Sequence, residues 1–328
     1  MLKTTYLTAV AGLCVATVAT AEVPKLTVLT YDSFTTEWGP GPAIEAAFEE
    51  TCACDLEFVG AGDGAALLAR LQLEGLRTEA DIVLGLDTNL TAAARETGLF
   101  APHGIEAELT LPLGWTDTEF LPYDWSYFAF VGNEGAEAPT SLQALADSDI
   151  KIVIQDPRSS TPGLGLLLWV KDVYGDDAPQ FWADLADNII TVTPGWSEAY
   201  GLFIDGEADA VLSYTTSPAY HLIAEDDASK VAWAFDDGHY MQVEVAGKVA
   251  GTNVPEIADQ FLAFMVSDGF QSIIPTTNWM YPAATPADGL PEGFDTLVVP
   301  ELSLLKTPED ALAIRDEALA EWREALSQ

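Results

Sequence analysis

Two hydrophobic periods alternate along this chain. Lys25 to Tyr31 (KLTVLTY) alternates as a strand, and a loop rich in Gly and Pro (Trp38 to Pro42) then opens a helix running through Thr51. Asp55 to Val59 reads as a second strand, ending at Gly60, Gly62 and Gly64. Ala65 to Glu74 places Leu67, Leu68, Leu71 and Leu73 on an apolar helical side. Asp81 to Leu86 (DIVLGL) has the uninterrupted apolar character of a buried parallel strand, and Asn89 to Thr97 forms the next helix. Strands alternating with helices predict a mostly parallel sheet, with ligand chemistry at the strand carboxyl ends. The loops at Asp32-Ser33, Gly62-Asp63-Gly64 and Gly85-Leu86-Asp87 lie at such ends.

Pro122 to Val131 (PYDWSYFAFV) breaks this rhythm with a long aromatic extended run. A second series follows: strand Ile152 to Ile154, helices Pro162 to Tyr174 and Pro179 to Asp187, and strand Ile189 to Thr193. A helix opens near Gly195, and Ala210 to Tyr214 is a further buried strand. Val231 to Phe235 and Tyr240 to Val245 are extended again, and helices near Pro255 to Val266 and Pro308 to Leu326 close the chain. Two βα series joined by long extended crossings predict an α/β fold of two lobes with a cleft between them. Pro122 to Val131 and Tyr240 to Val245 would be the hinge strands. The expected division is residues 22–124 for the first part of lobe one and 125–238 for lobe two. Residues 239–328 would then return to lobe one and supply the C-terminal helices.

The N-terminus changes the compartment. Lys3, the apolar run Tyr6 to Val18 and Ala19-Thr20-Ala21 read as an export signal cleaved after Ala21. The run is short for a membrane span, so an exported periplasmic protein is expected. The chain carries 52 acidic and 13 basic residues, a formal charge of −39. Such a surface is a poor partner for nucleic acid or anionic lipid and attracts cations. The charges are spread along the chain, which suits a solubility adaptation to salt. The two cysteines after the signal form Cys52-Ala-Cys54. A local disulfide is the expectation in an oxidising compartment, although closure across one residue is strained. A zinc site would need more ligands than this stretch offers.

Candidate chemistry gathers in two similar stretches. Gly195 to Tyr220 runs from a helix opening, where Ser197 or a neighbour can cap, through a strand to Thr215-Thr216-Ser217-Pro218, a second helix start. Gln155 to Gly163 follows a strand and offers Ser159, Ser160 and Thr161 before Pro162, with Arg158 beside them. Unpaired N–H groups at helix starts can hold a phosphate or carboxylate. Ordinary capping explains either stretch equally well. Tyr31, Trp38, Trp196, Tyr214, Tyr220, Trp279 and Tyr281 all fall in loops or at element ends, where flat or cationic ligands stack. Asp32, Asp63 and Asp87 add carboxylates, each also explicable as a cap or turn residue. The combination asks for a ligand flat and cationic at one end, with a phosphate at the other as an option.

The runs YDSFTTEWGPGP (Tyr31 to Pro42), ADIVLGLD (Ala80 to Asp87), QDPRSSTPGLGLLLW (Gln155 to Trp169), GWSEAYGLF (Gly195 to Phe203), LSYTTSPAY (Leu212 to Tyr220) and NWMYP (Asn278 to Pro282) resemble the thiamine-binding proteins of bacterial ABC importers. The resemblance covers nearly the whole chain after the signal. It implies a type II periplasmic-binding fold and a ligand set of thiamine with its mono- and diphosphate. It further implies membrane permease and ATPase partners, a monomer, and no cofactor. By similarity, Tyr31, Trp38, Trp196, Tyr220 and Trp279 would clamp the rings. Asp63 and Gly64 would meet the pyrimidine side, and Ser160, Thr161, Tyr214, Thr215, Thr216 and Ser217 the phosphate side. A thiamine-degrading transferase of the same fold class is the enzymatic alternative, but it needs a cysteine nucleophile, and Cys52 and Cys54 lie outside the expected cleft. His103, His221 and His239 are scattered, with His221 expected at the surface. A ferric-ion or polyamine carrier is the remaining alternative, and the separation of Tyr214 from Tyr220 argues against clustered ferric ligands.

Overall fold

The computed structural model describes residues 23–135 and 137–327. The export signal therefore lies outside the described residues. The first series forms β1 (Lys25–Thr30), α1 (Gly41–Glu49), β2 (Asp55–Gly60), α2 (Gly64–Glu74), β3 (Ile82–Asp87), α3 (Thr91–Glu96) and β4 (Phe100–Ala101). The long strand β5 (Phe120–Asn133) leads to α4 (Leu142–Ala146), β6 (Ile152–Gln155), α5 (Thr161–Tyr174), α6 (Ala178–Leu185), β7 (Ile189–Thr193), α7 (Trp196–Ile204), β8 (Ala210–Tyr214), α8 (Pro218–Ala224) and β9 (Lys230–Ala232). The return comprises β10 (His239–Val249), α9 (Pro255–Met265), α10 (Asp268–Gln271), α11 (Ile274–Thr277), β11 (Tyr281–Pro282), β12 (Ser303–Leu304) and α12 (Pro308–Leu326).

The principal strands run in the order β2-β1-β3-β10-β5-β8-β6-β7. Within each lobe the pairing is parallel: β1 with β2 and β3, and β6 with β7 and β8. The long strands β5 and β10 join the two halves and run antiparallel to each other and to β8 and β3 respectively. β5 pairs with β10 as far as Tyr127 and with β8 from Phe128 onward, so one strand serves both lobes. Its aromatic composition follows from this position, because Phe120, Tyr123, Phe128 and Phe130 are fully buried. This is the two-lobe α/β fold that the alternating periods predict. The apolar strand β3 is buried along its whole length, as its composition required.

Helix α12 starts at Pro308, with the Thr307 side chain accepting from the Asp310 N–H and acids in the first turn. It packs on α5 and α6 of lobe two as well as on α3 of lobe one. The C-terminal helix thus touches both lobes. A disulfide joins Cys52 to Cys54 after α1, with Cα atoms 5.3 Å apart, inside the range a bridge spans.

Candidate binding cleft

A cavity of about 460 Å³ opens between the lobes, at the ends of β1 and β8 and over the middle of β10. Its lining includes Tyr31, Trp38, Asp63, Thr161, Trp196, Tyr214, Ser217, Tyr220 and Trp279. Sequence patterning singled out all of these. Trp38, from the loop after β1, faces Trp196 at the start of α7, with ring centroids 6.5 Å apart and planes tilted by 52°. A flat ring needs about 7 Å between two stacking partners, so Trp38 has only a small swing to make, and its 56% exposure leaves it free to do so. Trp196 is backed by Tyr200, stacked at 4.8 Å, and its Nε1 donates to Ser213 Oγ at 2.8 Å. Across the mouth, Tyr220 and Trp279 meet edge to face at 5.4 Å. Trp279 sits at φ 57°, a left-handed conformation uncommon for a bulky residue, which its own N–H bond to the Ile274 carbonyl helps to hold.

Two lobe-one residues reach across to lobe two. Asp63 Oδ2 accepts from Ser160 Oγ at 2.8 Å and from the Trp196 N–H at 3.0 Å. A carboxylate from the opposite lobe thereby serves the first N–H of α7, where a cap from Ser197 or a neighbour was expected. Desolvation raises the Asp63 pKa to about 6, opposed by these two hydrogen bonds. The Gly64 N–H donates to Thr161 Oγ1 at 3.1 Å, and a side chain at this glycine would meet that oxygen at 2.5 Å. Gly64 is thus a contact between lobes and does not line the cavity.

The expected hydroxyl cluster divides. Thr161 and Ser217 line the cavity, whereas Ser160, Thr215 and Thr216 are buried behind its wall. Ser126 Oγ shares hydrogen bonds with Thr215 and Thr216 at 3.2 and 3.0 Å, so these threonines tie β8 to β5. Arg158, expected to assist an anion, pairs instead with Asp156 on the outside and lies over the Trp322 ring. Asp32 accepts from the Gly62 N–H as a turn residue, and Asp87 is buried against Asn89; neither lines the cavity. Tyr281 stacks on Trp125 at 4.6 Å, also away from it. His221, expected at the surface, is buried. Its Nε2 meets Tyr200 Oη at 3.0 Å, and its Nδ1 meets Glu225 at 2.7 Å.

Sequence reading missed the floor of the cleft. Glu244 on β10 and Asn278 after α11 both line it. Glu244 Oε2 accepts from Tyr123 Oη at 2.6 Å and Tyr31 Oη at 3.0 Å. Asn278 Nδ2 donates to Tyr31 Oη at 2.9 Å and to Asp124 Oδ2 at 2.7 Å. Burial raises the Glu244 pKa to about 7. A lone Glu in a hydrophobic strand carries no distinguishing sequence signal, whereas Asn278 stood within the NWMYP run. Tyr200, Ser197, Asp205 and Met280 also contribute to the wall, beside residues already singled out. Asp63, Asp205 and Glu244 are the charged lining residues; among the described residues no Lys, Arg or His joins them.

The model of bacterial extracellular solute-binding proteins matches residues 78–295. The chain belongs to this family. The solute-binding protein is 53% identical over 310 residues to the thiamine-binding periplasmic protein of Escherichia coli K12, covering 93% of this chain and 94% of that one. It is 50% identical over 309 residues to the thiamine-binding periplasmic protein of Brucella melitensis, covering 93% and 92%. A solved periplasmic thiamin-binding protein superposes with a TM-score of 0.91 at 52% identity, covering 93% of this chain and 97% of that one. Iron-bound HitA from Pseudomonas aeruginosa, at 20% identity and a TM-score of 0.72, shares the fold. The solute-binding protein works in the periplasm, and its role is capture rather than chemical conversion. Among the described residues no helix is long and apolar enough to cross a membrane. The disulfide also withholds both Cys52 and Cys54 from nucleophilic chemistry.

Proposed function

We propose that this protein captures thiamine and delivers it to the permease and ATPase subunits of an ABC importer, acting as a monomer. The observation that carries the reading is a cleft walled by aromatic rings from both lobes whose charged lining is acidic. Thiamine is a flat aminopyrimidine joined to a thiazolium cation, which suits stacking and cation–π contact of about 0.5–2 kcal/mol per ring. Relatives at 50–53% identity that are named for thiamine support the choice of ligand. In this reading Tyr31, Trp38, Trp196, Tyr220 and Trp279 clamp the rings. Asp63, held by Ser160 and steadied by the Gly64–Thr161 contact, meets the pyrimidine. Thiamine mono- and diphosphate enter the same cleft, their phosphates seated near Thr161, Tyr214 and Ser217, with Thr215 and Thr216 fixing that turn from behind.

Calorimetric titration of thiamine into mature protein, unfolded and refolded to strip carried ligand, tests the reading. Tight one-to-one binding with thiamine recovered unchanged is expected. Absence of heat, or consumption of thiamine, would overturn it. Titration with the two phosphate esters tests the wider ligand set; failure of both to bind removes them and leaves thiamine.

A further inference from the structure

The cleft floor carries an unusual pair. Asp124 and Glu244 stand directly opposite each other on the antiparallel hinge strands β5 and β10, where like charges repel. Both are buried, Asp124 completely and Glu244 with 5% exposure toward the cavity. The groups around Glu244 are Tyr31 from the end of β1, Tyr123 and Asp124 from β5, with Tyr214 from β8 and Asp87 from β3 adding their influence from further off. None of these is basic. Asp124 Oδ2 accepts from Asn278 Nδ2, but Asp124 Oδ1 has no hydrogen-bond partner among the described residues, and the Glu244 carboxyl stands beside that of Asp124. Two buried carboxyls in contact, without a counter-ion, require a shared proton or an external cation.

We propose that Asp124 and Glu244 form the cation-selecting subsite of the cleft, holding one proton between them in the free protein and releasing it when a cationic ring docks against Glu244. The inference rests on the thiamine reading and adds the group that neutralises the ligand. The tyrosine hydroxyls and Asn278 act as fixed donors, so the pair becomes a stable dianion only when a positive charge arrives. The same arrangement discriminates against neutral rings of similar shape, which leave the pair protonated and gain no ionic contact.

Burial raises the pKa of both carboxyls in the free protein, Glu244 to about 7 and Asp124 well above its usual range. A bound cation lowers them again. Affinity therefore rises as pH rises toward neutrality and levels off once the free pair has lost its proton. Thiamine titrated at pH 7 in buffers of different ionisation enthalpy reads the release directly. Wild type is expected to release close to one proton per thiamine, the one the free pair holds. Glu244→Gln, nearly isosteric in the hinge strand, is expected to abolish the release and weaken binding about tenfold or more. Asp124→Asn, a second variant, should likewise abolish the release. Tight binding by wild type without proton release, or unchanged release in both folded variants, overturns the subsite while leaving the thiamine reading intact. Absence of thiamine binding by wild type overturns both.

Discussion

Single side chains set the shape of the cleft. Tyr31 passes so close to Gly85 that a Cβ there would lie 2.3 Å from its ring, and Gly85 itself sits at φ 100°. Gly85→Ala is expected to lower stability by about 1–3 kcal/mol from backbone strain and to weaken ligand binding by displacing Tyr31; urea unfolding and titration measure the two effects. The rings at the cleft mouth make a different contribution. Trp196→Ala and Tyr220→Ala each remove a stacking face without opening a sealed core, so affinity for thiamine should fall more than about tenfold. Calorimetry checks this, and unchanged affinity in both variants would remove the clamp assignment.

At the scale of elements, helices and strands place these residues through contacts across the cleft. The start of α7 is served by Asp63 from the opposite lobe, and α5 meets α2 through Thr161 and Gly64. Asp63→Ala leaves the Trp196 N–H and the Ser160 hydroxyl without their partner. Loss of such a cap is worth about 1 kcal/mol, and here it acts on lobe closure. Small-angle scattering of the variant should show a larger radius of gyration than wild type, with weaker thiamine binding. The outer wall depends on a chain running from Tyr200 through His221 and Glu225 to Tyr220, which joins α7 to α8 behind both rings. The Cys52–Cys54 bridge lies remote from this machinery. It closes a very short loop, so Cys52→Ser with Cys54→Ser should cost about 1–2 kcal/mol in thermal or urea unfolding and leave ligand affinity unchanged.

Charge dominates the behaviour of the whole molecule. A formal charge of −39 makes the folded state self-repelling, so added salt should raise the melting temperature. Buried Asp63, Asp87 and Glu244 act in the same direction as acid. Burial raises their folded-state pKa values to about 6, 7 and 7, above the values of 3.8, 3.8 and 4.5 for exposed groups. The stability they contribute is present below about pH 4 and is lost as pH rises through 6 to 7. Melting temperature should therefore increase as pH falls from 8 to 5, as followed by calorimetric scanning. A maximum near pH 8 would contradict this assignment of protonated carboxyls.

The sequence by itself determined the principal strands and helices and the two-lobe plan, because hydrophobic period and Gly/Pro punctuation act locally, whereas short pieces such as α4, α10 and α11 carry too few residues to show a period. The buried run of β3 and the Pro308 start of α12 are legible for that reason. Most aromatic residues of the cleft were legible too, since rings at loop and element ends are free to face a cleft, although Tyr281 packs on Trp125 instead. Only the tertiary structure decided which polar residues face the ligand. Asp32, Asp63 and Asp87 look alike in sequence, yet only Asp63 lines the cavity, because partner choice depends on the other lobe. Thr215 and Thr216 turn toward Ser126 for the same reason, and Arg158 turns outward to Asp156. The pairing of Asp124 with Glu244 arises from strands 120 residues apart in the chain, brought into register by backbone hydrogen bonds that carry no side-chain signature.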